Sequence, residues 1–541
     1  MMLKRLFNHT SETITAAAVV LGGAALMSRI LGLLRDRLLT YTFGAGPTLD
    51  AYYVAFKVPD LLYNLLILGA LSSAFIPIFS EYLAKKDTDG AWNFMNKSIS
   101  TMGSIFLLLA IACSVFAPWY THLTAPGFVG AQFNLAVLLT RIMCFSPVLM
   151  GLSAAVGGAL QSLKKFLLYA LAPVLYNVGI IVGILIFVPL FGTVGLALGV
   201  LLGALMHLGI QLPALISSGF KPAWSWGWKD KNVREMFMLM GPRTIALAAV
   251  QINLVVITAL ASKLPVGSVS IFTLADNIQS MPEGVIAVSF AVAAFPLMTH
   301  FAAEGNPDGV AKTINQTMRT VLTWMLPICI LFVVLRTEWV RIILGAGKFD
   351  WAATVATADT LALFAIGLFG QAAVHVLARG FYAIKDTRTP ATVAIAATVI
   401  GLGSALWLMG PLGVRGLGLA ASIESIINAL VLYALLIRRL GSTYVADTLK
   451  TIYKISIAGL VMALLVQGLK EPIGTYVNMQ TFFGVLIKAG GASLGGLIGF
   501  VAIALLLRVP EMYEILEMFK TRLRGVTKLL PADVTDIDSS H

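Results

Sequence analysis

Apolar residues run along this chain in blocks of about twenty, separated by short polar stretches, from near residue 13 to near residue 507. A block of that length crosses the hydrocarbon core of a bilayer as one helix. The pattern predicts spans at about 13–34, 50–83, 99–121, 134–161, 167–189, 193–217, 236–262, 266–301, 317–344, 355–383, 390–410, 414–437, 449–468 and 482–507. The fold class expected is an all-α polytopic membrane protein with about 14 transmembrane helices. Lys4 and Arg5 ahead of the first block imitate a secretory leader, but the block stays apolar past any cleavage-site length into Leu34 and reads as a span.

Composition agrees: of 541 residues 58% are hydrophobic and 12% charged, against about 25% charged in a soluble protein. The net charge of +12 would suggest nucleic acid in a soluble chain, but here Lys and Arg collect on alternate loops. One side carries Lys85, Lys86 and Lys97, Lys164 and Lys165, Lys221, Lys229, Lys231 and Arg234, Lys312, Lys385 and Arg388, and Arg438, Arg439 and Lys450. The stretch 119–134 and the stretch 189–195 on the other side hold neither Lys nor Arg. The positive-inside rule then puts both termini in the cytoplasm and removes the need for a nucleic-acid partner. Cys113, Cys144 and Cys329 lie inside apolar blocks without metal-ligand spacing and read as packing residues. GAGKFD at 345–350 lacks the spacing of a phosphate-binding loop, and no hydrolase motif is present, so neither an enzyme nor a cofactor is expected.

The chain repeats itself. PLFGTVGLALGVLLGAL from Pro189 resembles PLGVRGLGLAASIESII from Pro411, at a separation of 411 minus 189, or 222. ALQSLKKF from Ala159 aligns with GFYAIKDT from Gly380 and pairs Lys164 with Lys385. A duplicated bundle predicts a lobe at 1–217, a linker at 218–235, a second lobe at 236–440, two extra helices within 441–507 and a tail at 508–541. Duplications of this kind put a substrate cavity between the halves and work by alternating access.

A charge at the centre of a bilayer costs about 3 kcal/mol or more, so charged residues inside the blocks are candidates for function. SRILGLLRDRLL, residues 28–39, carries Arg29, Arg35, Asp36 and Arg37. Arg29 and Asp36 share one helical face, with Ser28 and Arg35 on the next. Arg37 reads as snorkelling outward; for Arg29, well inside the apolar run, snorkelling would be long and is the weaker reading. In DAYYVAFKVPDLLYNLL, Asp50, Lys57, Asp60 and Asn64 enter the second block, where Lys57 and Asp60 are either a structural ion pair or substrate contacts, and Pro59 predicts a kink. Arg243, Gln251 and Asn253 open the seventh block; the two amides read as helix–helix hydrogen bonds, and Arg243 as either an interfacial anchor or a cavity residue. Asp276, Asn277, Gln279 and Glu283 lie in the eighth. Arg141, Asn177, His375 and Glu424 are isolated and read as packing. Arginines converging on a cavity would hold phosphate or carboxylate, and apolar walls beside them would suit a lipid tail.

SRILGLLRDRLLTYTFGAGPTLDAYYVAFKVPDLL and GALSSAFIPIFSEY, with TAPGF at 124–128, ALAPVLYNVGII at 170–181 and RGFYAIKDTRTP at 379–390, resemble the MurJ (MviN) lipid II flippases of the multidrug/oligosaccharidyl-lipid/polysaccharide exporter superfamily. The resemblance covers nearly the whole chain. It implies two six-helix lobes plus two carboxy-terminal helices and transport of an undecaprenyl-pyrophosphate-linked peptidoglycan precursor from the inner to the outer leaflet of the bacterial cytoplasmic membrane. The partners implied are that lipid and the bilayer, with the chain acting as a monomer. Arg29, Arg35, Asp36 and Asp50 fall on the family's charged motif, and the substrate-binding set expected is these four with Lys57, Asp60, Arg243, Asp276 and Asn277. Tyr63 and Asn277 stand where the family commonly has arginines, and Ser280 where it has a glutamate. These departures point to the alternative, a flippase or exporter for another polyprenyl-linked glycan or an amphiphilic drug. A non-transporting scaffold is the third reading, weakened by the cost of buried charge.

Overall fold

Wherever the structure describes them, the apolar blocks are helix. The computed structural model describes residues 14–64, 75–441 and 443–517, without the side chains of 14–19 and 240–250. The helices are α1 (Ile14–Phe43), α2 (Pro47–Leu62), α3 (Ile76–Ala84), α4 (Thr88–Val115), α5 (Ala117–Thr124), α6 (Gly130–Ser162), α7 (Phe166–Phe191) and α8 (Val194–Ser217). They continue as α9 (Lys231–Ser262), α10 (Ser268–Ala303), α11 (Pro307–Val334), α12 (Arg336–Ile343), α13 (Trp351–Ala383), α14 (Arg388–Leu412), α15 (Val414–Leu440), α16 (Val445–Thr475) and α17 (Phe482–Leu506). A last helix occupies 510–517, and no strand occurs among the described residues. Eleven of these helices are long and apolar enough to cross a membrane. With α1, the α2–α3 pair and α9 on the remaining three predicted spans, the fold is compatible with fourteen crossings. Lys4, Arg5 and the tail beyond 517 lie outside the described residues.

The helix boundaries are written locally. Asp87 accepts from the Gly90 N–H at 2.8 Å to start α4, and Asn306 accepts from the Gly309 N–H at 2.8 Å to start α11, each satisfying an otherwise orphaned donor. The internal repeat recurs in these turns. Lys164 (φ 59°) and Lys385 (φ 62°) are both left-handed, as are Gly192 (φ 63°) and Gly413 (φ 61°). Both separations, 385 minus 164 and 413 minus 192, are 221. A further match joins the two irregular spans: the α2 chain passes into a π-turn at Tyr63–Asn64, and α10 carries one at Glu283–Ala287.

Glycines let the helices close. A Cβ at Gly179 of α7 would stand 2.3 Å from the Cα of Gly203 in α8, and one at Gly183 would stand 2.4 Å from the Cα of Gly199. Without a hydrophobic drive between helices in lipid, such close approach is the main source of association. The two carboxy-terminal spans use the same device, with Gly496 and Gly499 of α17 against Val466 and Leu465 of α16.

The chain divides into two compact units. One comprises Met1–Ile278, Val340–Leu361 and Ile395–Ala421; the other comprises Gln279–Trp339, Ala362–Ala394 and Ser422–His541. Within the second, the 510–517 helix is tied down by Glu511, a buried carboxylate that pairs with Arg319 of α11. Lys488 of α17 pairs with Glu338 of α12 at 3.3 Å, both nearly buried.

Candidate functional site

The charged residues of α1 and α2 gather, within the first unit, into one network. Arg35 donates from Nη2 and Nε to Oδ1 of its neighbour Asp36 at 2.8 and 3.0 Å. Its Nη1 donates to Oδ1 of Asn177 in α7 at 3.2 Å. Asn177 in turn donates from Nδ2 to the carbonyl and the hydroxyl of Ser28, both at 3.2 Å. Asp36 is buried, and its second oxygen accepts from Nδ2 of Asn277 in α10 at 3.0 Å. Three helices are thereby joined through a single ion pair.

Lys57 and Asp60 stand one turn apart on α2. The Lys57 ammonium lies in the field of Asp60 and of Asp276 from α10, and Asp60 in that of Lys57 and Arg35. Tyr52, Tyr53 and Tyr176 stand in the neighbourhood of Arg35. Two cations, Arg35 and Lys57, therefore face three carboxylates, Asp36, Asp60 and Asp276. Carboxylates outnumber cations in this part of the site, and Arg35 spends three of its five N–H donors on protein acceptors.

Asp50 is spent on structure in the same unit. Its carboxylate is buried at the start of α10, where Oδ2 accepts from the Gly267 N–H at 2.6 Å and Oδ1 from the Ser270 N–H at 2.7 Å and hydroxyl at 2.6 Å. A negative charge there satisfies orphan donors and meets the positive end of the helix dipole. Gly267 is left-handed (φ 96°), and a Cβ on it would come within 2.6 Å of the Ala45 carbonyl oxygen. The turn into α2 and the turn into α10 fit only with glycine there.

Arg37, read from the sequence as reaching outward, is half-buried and donates from Nη1 to the Ile342 carbonyl. The Thr40 hydroxyl beside it bonds the Leu344 carbonyl at 3.0 Å, and the Lys348 N–H bonds the Tyr41 carbonyl at 3.0 Å. The end of α1 is thus laced to 342–348. Arg29 is half-buried on α1; the Arg243 side chain lies outside the described residues.

Two residues that looked isolated have partners. Asn177 is the hinge of the network just described, and His375 of α13 pairs through Nε2 with Oε1 of Glu283 at 2.7 Å in the second unit. Arg379, one turn further on α13, donates to the His375 carbonyl at 2.9 Å. Glu283 sits in the π-turn of α10, a kind of helix defect often found at functional positions. The signal available in the sequence was the cost of each polar group in an apolar block.

Helices of membrane-crossing length, closed on glycine faces and carrying an ionic network inside the spans, define a polytopic helical membrane protein with a polar site within its spans. The family described as lipid II flippase MurJ matches residues 39–487, and the chain belongs to it. A probable lipid II flippase MurJ of Rhizobium meliloti is 30% identical over 501 residues, covering 87% of this chain and 93% of that protein. One from Vibrio cholerae is 28% identical, covering 92% and 97%. A solved structure described as lipid II flippase MurJ in an inward closed conformation is 25% identical, with a TM-score of 0.74, covering 91% of this chain and 99% of that one. An inward-facing multidrug resistance MATE transporter of the MOP superfamily, 17% identical with a TM-score of 0.65, shares the fold over 79% of this chain and 98% of that one.

Proposed function

We propose that this chain is a lipid II flippase, carrying the undecaprenyl-pyrophosphate-linked peptidoglycan precursor from the inner to the outer leaflet of the bacterial inner membrane by alternating access. The observation that carries this reading is the family match over 39–487. On it rest the lobe at 1–217, the linker at 218–235, the lobe at 236–440, the additional helices within 441–507, two cytoplasmic termini and action as a monomer.

The network suggests how an anion is handled. In its absence Arg35 is held by Asp36, and Asp36 by Asn277. A pyrophosphate offers the guanidinium a better bidentate partner than one carboxylate oxygen, so cargo displaces Asp36 from Arg35. The released Asp36 then alters its bond to α10. A ligand shifts a conformational equilibrium only by its differential affinity for the two states, and an exchange of ion-pair partners supplies that difference. Arg29, Arg243 and Lys57 are the further cations proposed to meet the phosphates. Asp60 and Asp276 hold Lys57, and Asp50 keeps α10 in register with α2.

A second reading is favoured by Tyr63, Asn277 and Ser280, which replace charged residues common in the family, and by the excess of carboxylates at the described cluster. It gives the chain a different polyprenyl-linked glycan. Expression in a bacterium depleted of its own flippase tests both. Growth with normal lipid-linked precursor pools supports the lipid II reading. Failure to grow, with the protein present in the membrane, together with export of another lipid-linked glycan, overturns it in favour of the second.

A further inference from the structure

Between α8 and α9 the chain runs along the flank of α4 as a strap. The Asn96 amide donates to the Lys221 carbonyl at 3.0 Å, and its oxygen accepts from the Ala223 N–H at 3.0 Å. The Ser225 N–H donates to the Ser100 hydroxyl at 3.1 Å and the Gly227 N–H to the Thr101 hydroxyl at 2.9 Å. Every second residue from 221 to 227 is thus fastened to one side of α4. Gly227 is buried there; a Cβ would press within 2.9 Å of Val233 and 3.1 Å of Lys97. The strap ends in the ion pair of Lys97 with Asp230 at 2.8 Å, and Asp230 caps α9 through the N–H groups of Asn232 and Val233.

The intervening side chains point away. Trp224, Trp226 and Trp228 are 69%, 56% and 53% exposed, the first two edge to face at 5.7 Å and the third parallel to Phe237 at 6.5 Å. Lys221, Lys229, Lys231 and Arg234 flank them along the chain, all exposed. Exposed aromatic side chains grouped on one short segment mark an interaction surface, and fastening the backbone holds these three indoles outward. The strap lies at the level of residues 96–101, where α4 changes from its polar start to its apolar body. Indoles concentrate at that depth of a membrane, with ring in the acyl boundary and N–H among headgroups. Cations beside them are drawn to anionic lipid.

We propose that the strap at 221–234 is a binding site for anionic phospholipid headgroups, with Trp224, Trp226 and Trp228 seated in the interface and Lys221, Lys229, Lys231 and Arg234 on the phosphates. The site requires only that α4 enters the membrane from its Thr88 end, and it is independent of the cargo carried.

The test uses the full chain in phosphatidylcholine nanodiscs doped with a photoactivatable phosphatidylglycerol or, separately, with the matching phosphatidylcholine probe. Crosslinked peptides are read by mass spectrometry. The anionic probe labels 221–234 several-fold more than the zwitterionic one, and labelling falls about fivefold for each of Lys221→Gln, Lys229→Gln and Lys231→Gln. Labelling around Arg388 stays constant as an internal reference. These substitutions are on exposed side chains, and unchanged circular dichroism shows that folding is retained. Equal labelling by the two probes overturns the proposal, as does absence of label on 221–234 while the reference peptide is labelled, the result expected if the patch docks a protein.

Discussion

Arg35 and Asp50 are both charged residues in apolar blocks, but they do different work, and their variants separate. Arg35→Ala leaves Asp36 buried without its cation, a loss of about 3–5 kcal/mol, so a lowered melting temperature in detergent should accompany loss of complementation. Arg35→Lys keeps the charge but not the fork and should restore growth in part. Asp50→Ala strips three hydrogen bonds from the start of α10, each to a charged acceptor and worth about 1.5–3 kcal/mol; its principal effect should be on melting temperature and membrane level. Arg29→Ala should abolish growth at normal protein level, and full growth would make Arg29 a packing residue. Asn277→Arg would meet Asp36 with a full charge and free Arg35; growth at least equal to the parent is expected if the cargo is a pyrophosphate.

Among the elements, the strap shows how a loop without regular structure is held. Asn96→Ala or Asp230→Ala removes fastenings at either end, and limited proteolysis after Lys229 and Lys231 should accelerate several-fold, with the helices unchanged in Asn96→Ala and the first turn of α9 also loosened in Asp230→Ala. The pH dependence follows from Asp230. Partial burial opposes its ionisation, but Lys97 and the N–H groups of Val233 and Asn232 more than offset this and hold its carboxyl below the usual range. A depressed folded value gives stability that is complete above the ordinary carboxylate value near 3.8 and is lost as pH falls through the folded one. Proteolysis of the strap by an acid-tolerant protease should therefore be unchanged from pH 7 to pH 5 and rise only below about pH 4. A rise already at pH 6 would mean that another group holds the strap.

At the scale of the whole molecule the proposed topology makes a direct demand. Thr88 is exposed at the start of α4 and Val129 is exposed between α5 and α6. With a membrane-impermeant maleimide on intact cells, Val129→Cys should react and Thr88→Cys should react only after permeabilisation. The reverse result would turn the chain over and place the Lys-rich loops outside, against the positive-inside rule.

The amino-acid sequence by itself determined the all-helical class, the placing of the apolar helices, the repeat and the family, because each of these is written in local pattern. Apolar run length, a capping Asp87 or Asn306 and paired turns at Lys164 and Lys385 need no partner from afar. Tyr63 and Asn277 were legible in the same way, as departures from a family motif. Only the tertiary structure decided which charges meet. Arg35 and Asn177 are 142 positions apart, Asp36 and Asn277 241, and Glu283 and His375 92. Such pairs depend on how each helix is rotated and which glycine face it packs on, and hydropathy along one strand of sequence carries neither. For the same reason Asp50 and Arg35 look alike in the sequence, although the Asp50 carboxylate closes the start of α10, and no local pattern marks the three tryptophans of the strap, whose exposure follows from the fastening of alternate backbone groups to α4.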